Sequence, residues 1–382
     1  MELVYDGKKT KDEILNSINP YSFSQKWNGK NNLLIQGDNF FALKLLAKEY
    51  QLKGKIDFIY IDPPFATNGI FTVGDTRTST MSASKNDRLA YRDTLLGEEY
   101  LEFLRERLIL AYELLSKKGS LYVHIDYKIG HYVKIILDEI FGAKNFKNDI
   151  TRIKCNPKNF SRKAFGNIKD LILFYSKSNN AIWNTPYQPF SEDDIKRLYK
   201  KRDAKGRLYT TIPLHAPGET VHGATGGTFK GLRPPAGRHW RTDPKELEEL
   251  DKQGLIEWSS NGVPRKIIYA DEQRGKKMQD IWDFKDYQYP VYPTEKNLSL
   301  LQFLINTSSN PKSIVMDFFC GSGTTLVAAQ ELGRQWIGID KSAVAIQTTK
   351  KKLAQYNNEL FSQTKYDLLF LEPLDSTIVV NE

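Results

Sequence analysis

The chain has 382 residues, 40% hydrophobic and 26% charged, which excludes a disordered or fibrous polypeptide and suits one or two globular domains. Two cysteines cannot build a disulfide framework and the N-terminus has no apolar signal core, so a cytoplasmic protein that is neither secreted nor membrane-spanning is expected. The net charge of +9 lies wholly in the middle, where residues 151–290 hold 26 Lys and Arg against 17 Asp and Glu while the flanks hold 29 of each; a localised basic segment is what a phosphate-facing surface requires.

Residues 32–36 (NLLIQ) read as a short strand, Gly37-Asp38-Asn39 as a turn, and 40–50 as a helix spaced through Leu43, Leu45 and Leu46. Residues 56–61 form a buried strand that stops at Asp62-Pro63-Pro64-Phe65. Residues 66–95, rich in Thr, Ser, Asn, Asp and Gly, read as a long loop, which at that length in a compact domain is usually functional or disordered. A helix over about 97–116, a strand over 120–125 and a helix over about 129–141 follow, with 171–175 as a further core strand. The middle is broken by Pro213, Pro217, Gly226, Gly227, Pro234 and Pro235 and has weak periodicity. Alternation then resumes with a helix over 298–306, a strand over 314–318, a helix over 324–332, a strand over 335–339 and a helix over 342–356. Alternation on both flanks predicts one Rossmann-like, doubly wound α/β sheet with helices on both faces. Its halves, 1–180 and 291–382, enclose a smaller inserted domain at 181–290.

The first constellation is Asp317-Phe318-Phe319-Cys320-Gly321-Ser322-Gly323-Thr324-Thr325. A strand, a tight Gly-x-Gly turn and a helix N-terminus let backbone N–H groups approach a ligand closely. Asp340 closes the next strand, 17 residues after Gly323, where a carboxylate can accept from ribose hydroxyls. The third glycine of the dinucleotide fingerprint is missing, and Asp317 would sit badly against a pyrophosphate. Both features favour an adenosine ligand carrying an ammonium or sulfonium group over NAD, and count against a dehydrogenase. Cys320 reads as a small buried residue rather than a reactive thiol.

The second constellation is Asp62-Pro63-Pro64-Phe65. Two prolines remove two N–H donors and fix φ, leaving rigid carbonyls beside one carboxylate and one aromatic ring. Such an acceptor-only site with a stacking platform suits a planar group bearing an NH2, such as a nucleobase; a Pro-rich turn with Asp capping backbone and Phe in the core is the plainer alternative. Both constellations fall at strand C-terminal ends, so although 255 residues apart they can meet across one crevice.

DPPF, a variable middle and then DFFCGSGTT together resemble an amino-methylating DNA methyltransferase of the beta class, whose catalytic motif precedes its cofactor motif in a circularly permuted order. Gly37-Asp38-Asn39-Phe40 and Tyr292-Pro293-Thr294-Glu295-Lys296-Asn297 are similar to further segments of that family, and Gly237-Arg238-His239-Trp240-Arg241 with residues 262–282 resembles the middle of adenine-specific members, including type III modification subunits. The resemblance implies S-adenosylmethionine held at Asp317, Phe318, Phe319, Cys320, Gly321, Ser322, Gly323, Thr324 and Asp340, with Thr294, Glu295 and Lys296 near its methionine end and Asp38 near its adenine end. It implies catalysis at Asp62, Pro63, Pro64 and Phe65 on an adenine turned out of duplex DNA, and a target recognition domain in the middle. An initial Asp favours N6-adenine over N4-cytosine; a non-catalytic DNA-binding modification subunit is the rival from another class. A cognate restriction endonuclease subunit and a homodimer are the partners the family suggests. This chain keeps an aromatic ring in DPPF where DPPY is commoner, and is shorter than typical type III modification subunits.

The basic middle is expected to meet double-stranded DNA. Arg152, Lys154, Lys158, Arg162 and Lys163 form a run suited to phosphate contacts, and Arg233, Arg238 and Arg241 are candidate base readers. Trp183, Tyr209, Trp240 and Trp258 read as residues of a small core. The five histidines show no zinc-ligand spacing with either cysteine, so no metal is expected.

Overall fold

The structure, a computed structural model, describes residues 2–64, 69–73, 78–79, 88–93, 97–157, 161, 163–220, 222–288, 295–357 and 365–374. The chain divides into two units, residues 1–185 with 279–382, and residues 186–278. The inserted unit is therefore narrower than 181–290. Asn184 belongs to the first unit, where its amide donates to the carbonyls of Asn306 and Ser309, and the Trp282 ring packs edge-on against Phe303 there.

In chain order the first unit contains α1 (Lys11–Asn16), β1 (Tyr21–Phe23), β2 (Asn32–Gln36), α2 (Asn39–Lys48), β3 (Ile56–Ile61), α3 (Gly97–Leu114), β4 (Leu115–Ile125), α4 (Gly130–Phe141), β5 (Phe146–Ile153) and β6 (Lys169–Ser176). After the insertion come β7 (Ile281–Asp283), α5 (Leu298–Ser308), β8 (Ile314–Asp317), α6 (Thr324–Glu331), β9 (Gln335–Asp340), α7 (Ala343–Asn357) and β10 (Tyr366–Pro373). These ten strands make one sheet in the order β1-β10-β2-β9-β8-β3-β4-β6-β5-β7. From β10 to β4 every pairing is parallel, and β6 runs antiparallel to both β4 and β5.

The central strands are apolar on both faces because helices cover both. Leu33, Leu34 and Ile35 of β2, Phe58, Ile59 and Ile61 of β3, and Trp336, Ile337 and Ile339 of β9 are buried without alternation, as a covered parallel sheet demands. Helices α1 to α4 pack among themselves and α5 to α7 among themselves, giving two layers. Side chains set the helix starts: Asp38 accepts from Phe40 N at the head of α2, and Asn297 from Ser299 N and Leu300 N at the head of α5. Among the described residues no helix is long and apolar enough to cross a membrane.

The stretch 66–95 departs from the long loop expected of it. Its described residues include strands Gly69–Val73, Thr78–Ser79 and Arg88–Asp93, paired as a small antiparallel sheet.

The second unit has a four-stranded antiparallel sheet of Lys201–Arg202, Leu208–Pro213, Pro264–Tyr269 and Ile256–Trp258. It also carries helices Glu192–Leu198 and Pro244–Lys252 and a hairpin pairing His215–Pro217 with Arg238–Trp240. Leu214, Phe229, Trp240, Leu247 and Ile256 form its core, and Trp240 Nε1 donates to Gly227 O at 2.9 Å. Trp258 lies flat on Phe229 at the edge of this core. Trp183 is not part of it: the residue is in the first unit, half exposed and stacked on Phe174.

Candidate active site

Strand β3 leads by way of α3 to β4 on one side of it, whereas β8 leads by way of α6 to β9 on the other. The chain thus winds outward in both directions from the β3–β8 boundary, and ligand crevices in open α/β sheets lie at such a switch point, beyond the strand C-termini. Val315 pairs with Phe58 and Met316 with Ile59. β3 ends at Ile61 and β8 at Asp317, and the Asp62 and Asp317 carboxyls are close enough to repel each other. Asp62-Pro63-Pro64 and the glycine loop, so far apart in sequence, leave adjacent parallel strands side by side.

Asp62 is largely buried and its two oxygens differ. Oδ2 is 2.6 Å from Lys296 Nζ, while Oδ1 is buried and has no hydrogen-bond partner among the described residues. A buried carboxylate oxygen left unpaired costs roughly 1–3 kcal/mol or more, so a site that keeps one is built for a donor supplied from outside. The Tyr100 hydroxyl donates to Pro64 O at 2.5 Å and pins the second proline. Phe65 lies outside the described residues.

Behind Asp62 sits a buried polar cluster. His124, wholly buried on the adjoining strand β4, is 2.8 Å from the Tyr60 hydroxyl through Nδ1 and 3.3 Å from Asp170 through Nε2. Burial lowers the pKa of His124 and outweighs the bond to Asp170, so the ring is neutral at physiological pH.

The glycine loop is a tight backbone turn. Gly321 and Gly323 have φ of +50° and +77°, and Gly323 also faces α7 so closely that a Cβ would lie 2.7 Å from Thr349 Cγ2. Thr349 Oγ1 donates to Gly321 O at 2.9 Å. Asp317, at the end of β8, accepts from Phe319 N at 3.0 Å and from the Thr325 hydroxyl at 2.6 Å. Burial raises its pKa to about 7 despite those two donors. Asp340 accepts from Gly321 N at 2.9 Å and Ser342 N at 2.8 Å, and burial raises its pKa as well.

The structure sorts the remaining expected residues. The Phe318 side chain is fully buried in the sheet core, so only its backbone can face a ligand; its carbonyl accepts from Asn39 Nδ2 at 2.6 Å. The Cys320 thiol is buried, and burial beside Asp340 and Asp317 pushes its pKa up, leaving it inert. Phe319 is partly buried, 6.1 Å ring to ring from Phe103. Asp38 caps α2 and is held by Arg107 at 2.9 Å. Glu295 pairs with Lys352, and the Ser322 and Thr324 hydroxyls are 3.3 and 3.0 Å from the same Lys352 Nζ. Thr294, like Lys158 and Arg162, lies outside the described residues. Sequence reading quoted Asn39 and Thr325 inside the GDN and GSGTT segments without giving either a role, and missed Tyr100, Arg107, Thr349 and Lys352, which carried no local signal.

Arg152 is a correction. It is wholly buried, bonded to Asp170, Asp286 and the Phe284 carbonyl, so it braces the interior and cannot meet a phosphate. Lys154 is tied to Asp170 at 2.6 Å and remains partly exposed. In the second unit Arg233, Arg238 and Arg241 are exposed. Arg238 reaches His215 Nδ1 at 3.1 Å, and Arg241 Nε donates to Pro213 O at 3.1 Å.

A family model described as DNA methylase (N6_N4_Mtase) matches residues 56–351. The Type II methyltransferase M.EcaI of Enterobacter cloacae is 40% identical over 365 residues, covering 92% of this chain and 77% of that protein. The type III restriction-modification enzyme StyLTI Mod subunit of Salmonella typhimurium is 26% identical over 368 residues; the alignment covers 86% of this chain but only 54% of that subunit. Among solved structures, the crystal structure of the M1.HpyAVI–SAM complex aligns with a TM-score of 0.43 and 18% identity, covering 84% of this chain and 98% of that one.

Proposed function

This chain belongs to the DNA methylase family, and from that premise we propose that it is a site-specific DNA adenine-N6 methyltransferase using S-adenosylmethionine and working within a restriction-modification system. The observation that carries the reading is the buried Oδ1 of Asp62, unpaired among the described residues, at the C-terminal end of the strand adjoining that of the glycine loop.

The residues fit the cofactor. A turn with left-handed φ at Gly321 and Gly323, and no room for a side chain at Gly323, gives a close backbone approach, and the Asp317 carboxyl, with its raised pKa, gains its charge most easily beside a cation. When bound, S-adenosylmethionine supplies an electrophilic methyl group on a sulfonium centre. The chain's own part is to hold the acceptor. Asp62 Oδ1 accepts one hydrogen of the adenine amino group, and the Pro63 carbonyl is suited to the other. Together they draw N6 toward tetrahedral geometry and stabilise the positive charge growing there. Extrusion of the base from the duplex costs a few kcal/mol, which stacking on Phe65 offsets in part. Exposed arginines of the second unit are the candidate DNA readers, and the Mod-subunit relative supports a companion nuclease subunit.

The test is expression in a host without DNA methylation, followed by nucleoside analysis and mapping of modified bases. N6-methyladenine at one recurrent site is the expected result. N4-methylcytosine would move the target to the other base, and unmodified DNA with intact DNA binding would leave a non-catalytic subunit.

A further inference from the structure

Two adjacent side chains, Glu295 and Lys296, reach opposite halves of the site. Lys296 Nζ holds Asp62 Oδ2 at 2.6 Å. Glu295 is paired with Lys352 of α7, whose Nζ also lies 3.0 Å from Thr324 Oγ1 and 3.3 Å from Ser322 Oγ. An ammonium has three donors and no acceptor, and Lys352 has three acceptors around it. Two of them flank Gly323, the left-handed pivot of the glycine loop. Both ion pairs are sheltered, with side-chain exposures of 9% and 15% for Lys296 and Asp62, and 16% and 7% for Lys352 and Glu295. Sheltered pairs are screened little and tolerate little displacement.

We propose that Lys352 is a positioning residue which, through Glu295 and the neighbouring Lys296, couples the cofactor loop to the catalytic carboxylate of Asp62. The linkage is short. Lys352 fixes the turn on both sides of its pivot and fixes Glu295; one peptide unit, about 3.8 Å between Cα atoms, carries the constraint to Lys296; and Lys296 sets which Asp62 oxygen stays open to the acceptor amine. A shift of the glycine loop on ligand binding therefore moves the group that orients Asp62. The role rests on the methyltransferase reading above and goes beyond it, because it assigns to a helix residue outside both motifs an effect on turnover as well as on cofactor binding.

A double-substitution cycle tests it in the full-length protein, with labelled S-adenosylmethionine and unmethylated genomic DNA as substrates. Lys352→Met should raise the cofactor dissociation constant and also lower the rate at saturating cofactor, each by about tenfold, the equivalent of about 1.4 kcal/mol. Combined with Lys296→Met, the saturated rate should fall by clearly less than the product of the two single effects, since both break one chain of contacts. Glu295→Gln keeps shape and an acceptor oxygen, and should shift both quantities the same way; it serves if thermal unfolding shows Lys352→Met to be misfolded. A residue that only braced the loop would change affinity and leave the saturated rate intact, and that result in both variants overturns the proposal. So do single effects that multiply. Wild-type protein that binds cofactor but methylates nothing would instead remove the underlying methyltransferase reading, and the proposal with it.

Discussion

Replacing Asp317 with Asn should flatten the pH dependence of stability. In the native chain Asp317 is 2% exposed and burial raises its pKa to about 7, against 3.8 for an unperturbed carboxyl. Between those two values the unfolded chain has lost the proton that the folded chain keeps. The stabilisation from holding the proton is thus fully present below 3.8 and is lost as pH rises through about 7. The slope is about 1.4 kcal/mol per pH unit over that window, so raising the pH from about 5 to about 8 without cofactor should cost about 2–3 kcal/mol through this group alone. Asn mimics the neutral acid: its oxygen can still accept from Phe319 N, and its amide can donate to the Thr325 hydroxyl, which turns to accept. Urea unfolding of both proteins at the two pH values measures the difference. Asp340 contributes with the same sign in both proteins, so the comparison reads Asp317 together with its repulsion by Asp340. Equal losses in wild type and Asp317→Asn would refute the assignment of a buried, proton-holding carboxyl at the end of β8.

Asp62→Asn, which keeps the shape but leaves one oxygen, should cut methyl transfer at least ~10²-fold while cofactor affinity changes little, as for loss of a transition-state partner; a normal turnover number in a labelled-methyl assay would remove Asp62 from the chemistry. Gly323→Ala puts a Cβ at +77° and 2.7 Å from Thr349. The φ alone costs about 1–2 kcal/mol, so the melting temperature should fall and cofactor affinity weaken by about tenfold or more; titration calorimetry giving an unchanged affinity would show that the turn is not part of the site. Arg152→Met leaves Asp170 to Lys154 and His124 and Asp286 to solvent, but strips the Phe284 carbonyl of its donor and should destabilise by about 1–3 kcal/mol. Folded Arg152→Met should bind DNA as wild type does, whereas Arg238→Ala should weaken DNA binding and leave unfolding unchanged; a reversed pattern in thermal melts and filter binding would restore Arg152 as a DNA contact.

The central strands could be read along the chain because a parallel sheet covered on both faces needs unbroken apolar runs, and 32–36, 56–61 and 335–340 supply them. The glycine loop was legible for a similar reason, since a turn with left-handed φ at two positions admits little but glycine. The strands at 69–93 were missed because the Thr, Ser, Asn, Asp and Gly around them read as loop, and the short runs GIFTV, TS and RLAYRD carry no sustained alternation. Arg152 was misread because charge says nothing about burial. It lies inside because β6 supplies Asp170 and the segment after β7 supplies Asp286, 134 residues further on.

Lys350, Lys351 and Lys352 pose the same problem more sharply. They are consecutive and chemically identical, and helical periodicity says only that they point in different directions. Lys352 matters because the sheet brings Ser322, Thr324 and Glu295 to its side of α7. Local pattern was enough for the central strands, the glycine turn and the two acidic motifs, since each answers to backbone geometry within a few residues. Which oxygen of Asp62 stays open, and which of three lysines holds the loop, followed only from long-range strand register and helix packing, because those ion pairs join groups tens to hundreds of residues apart.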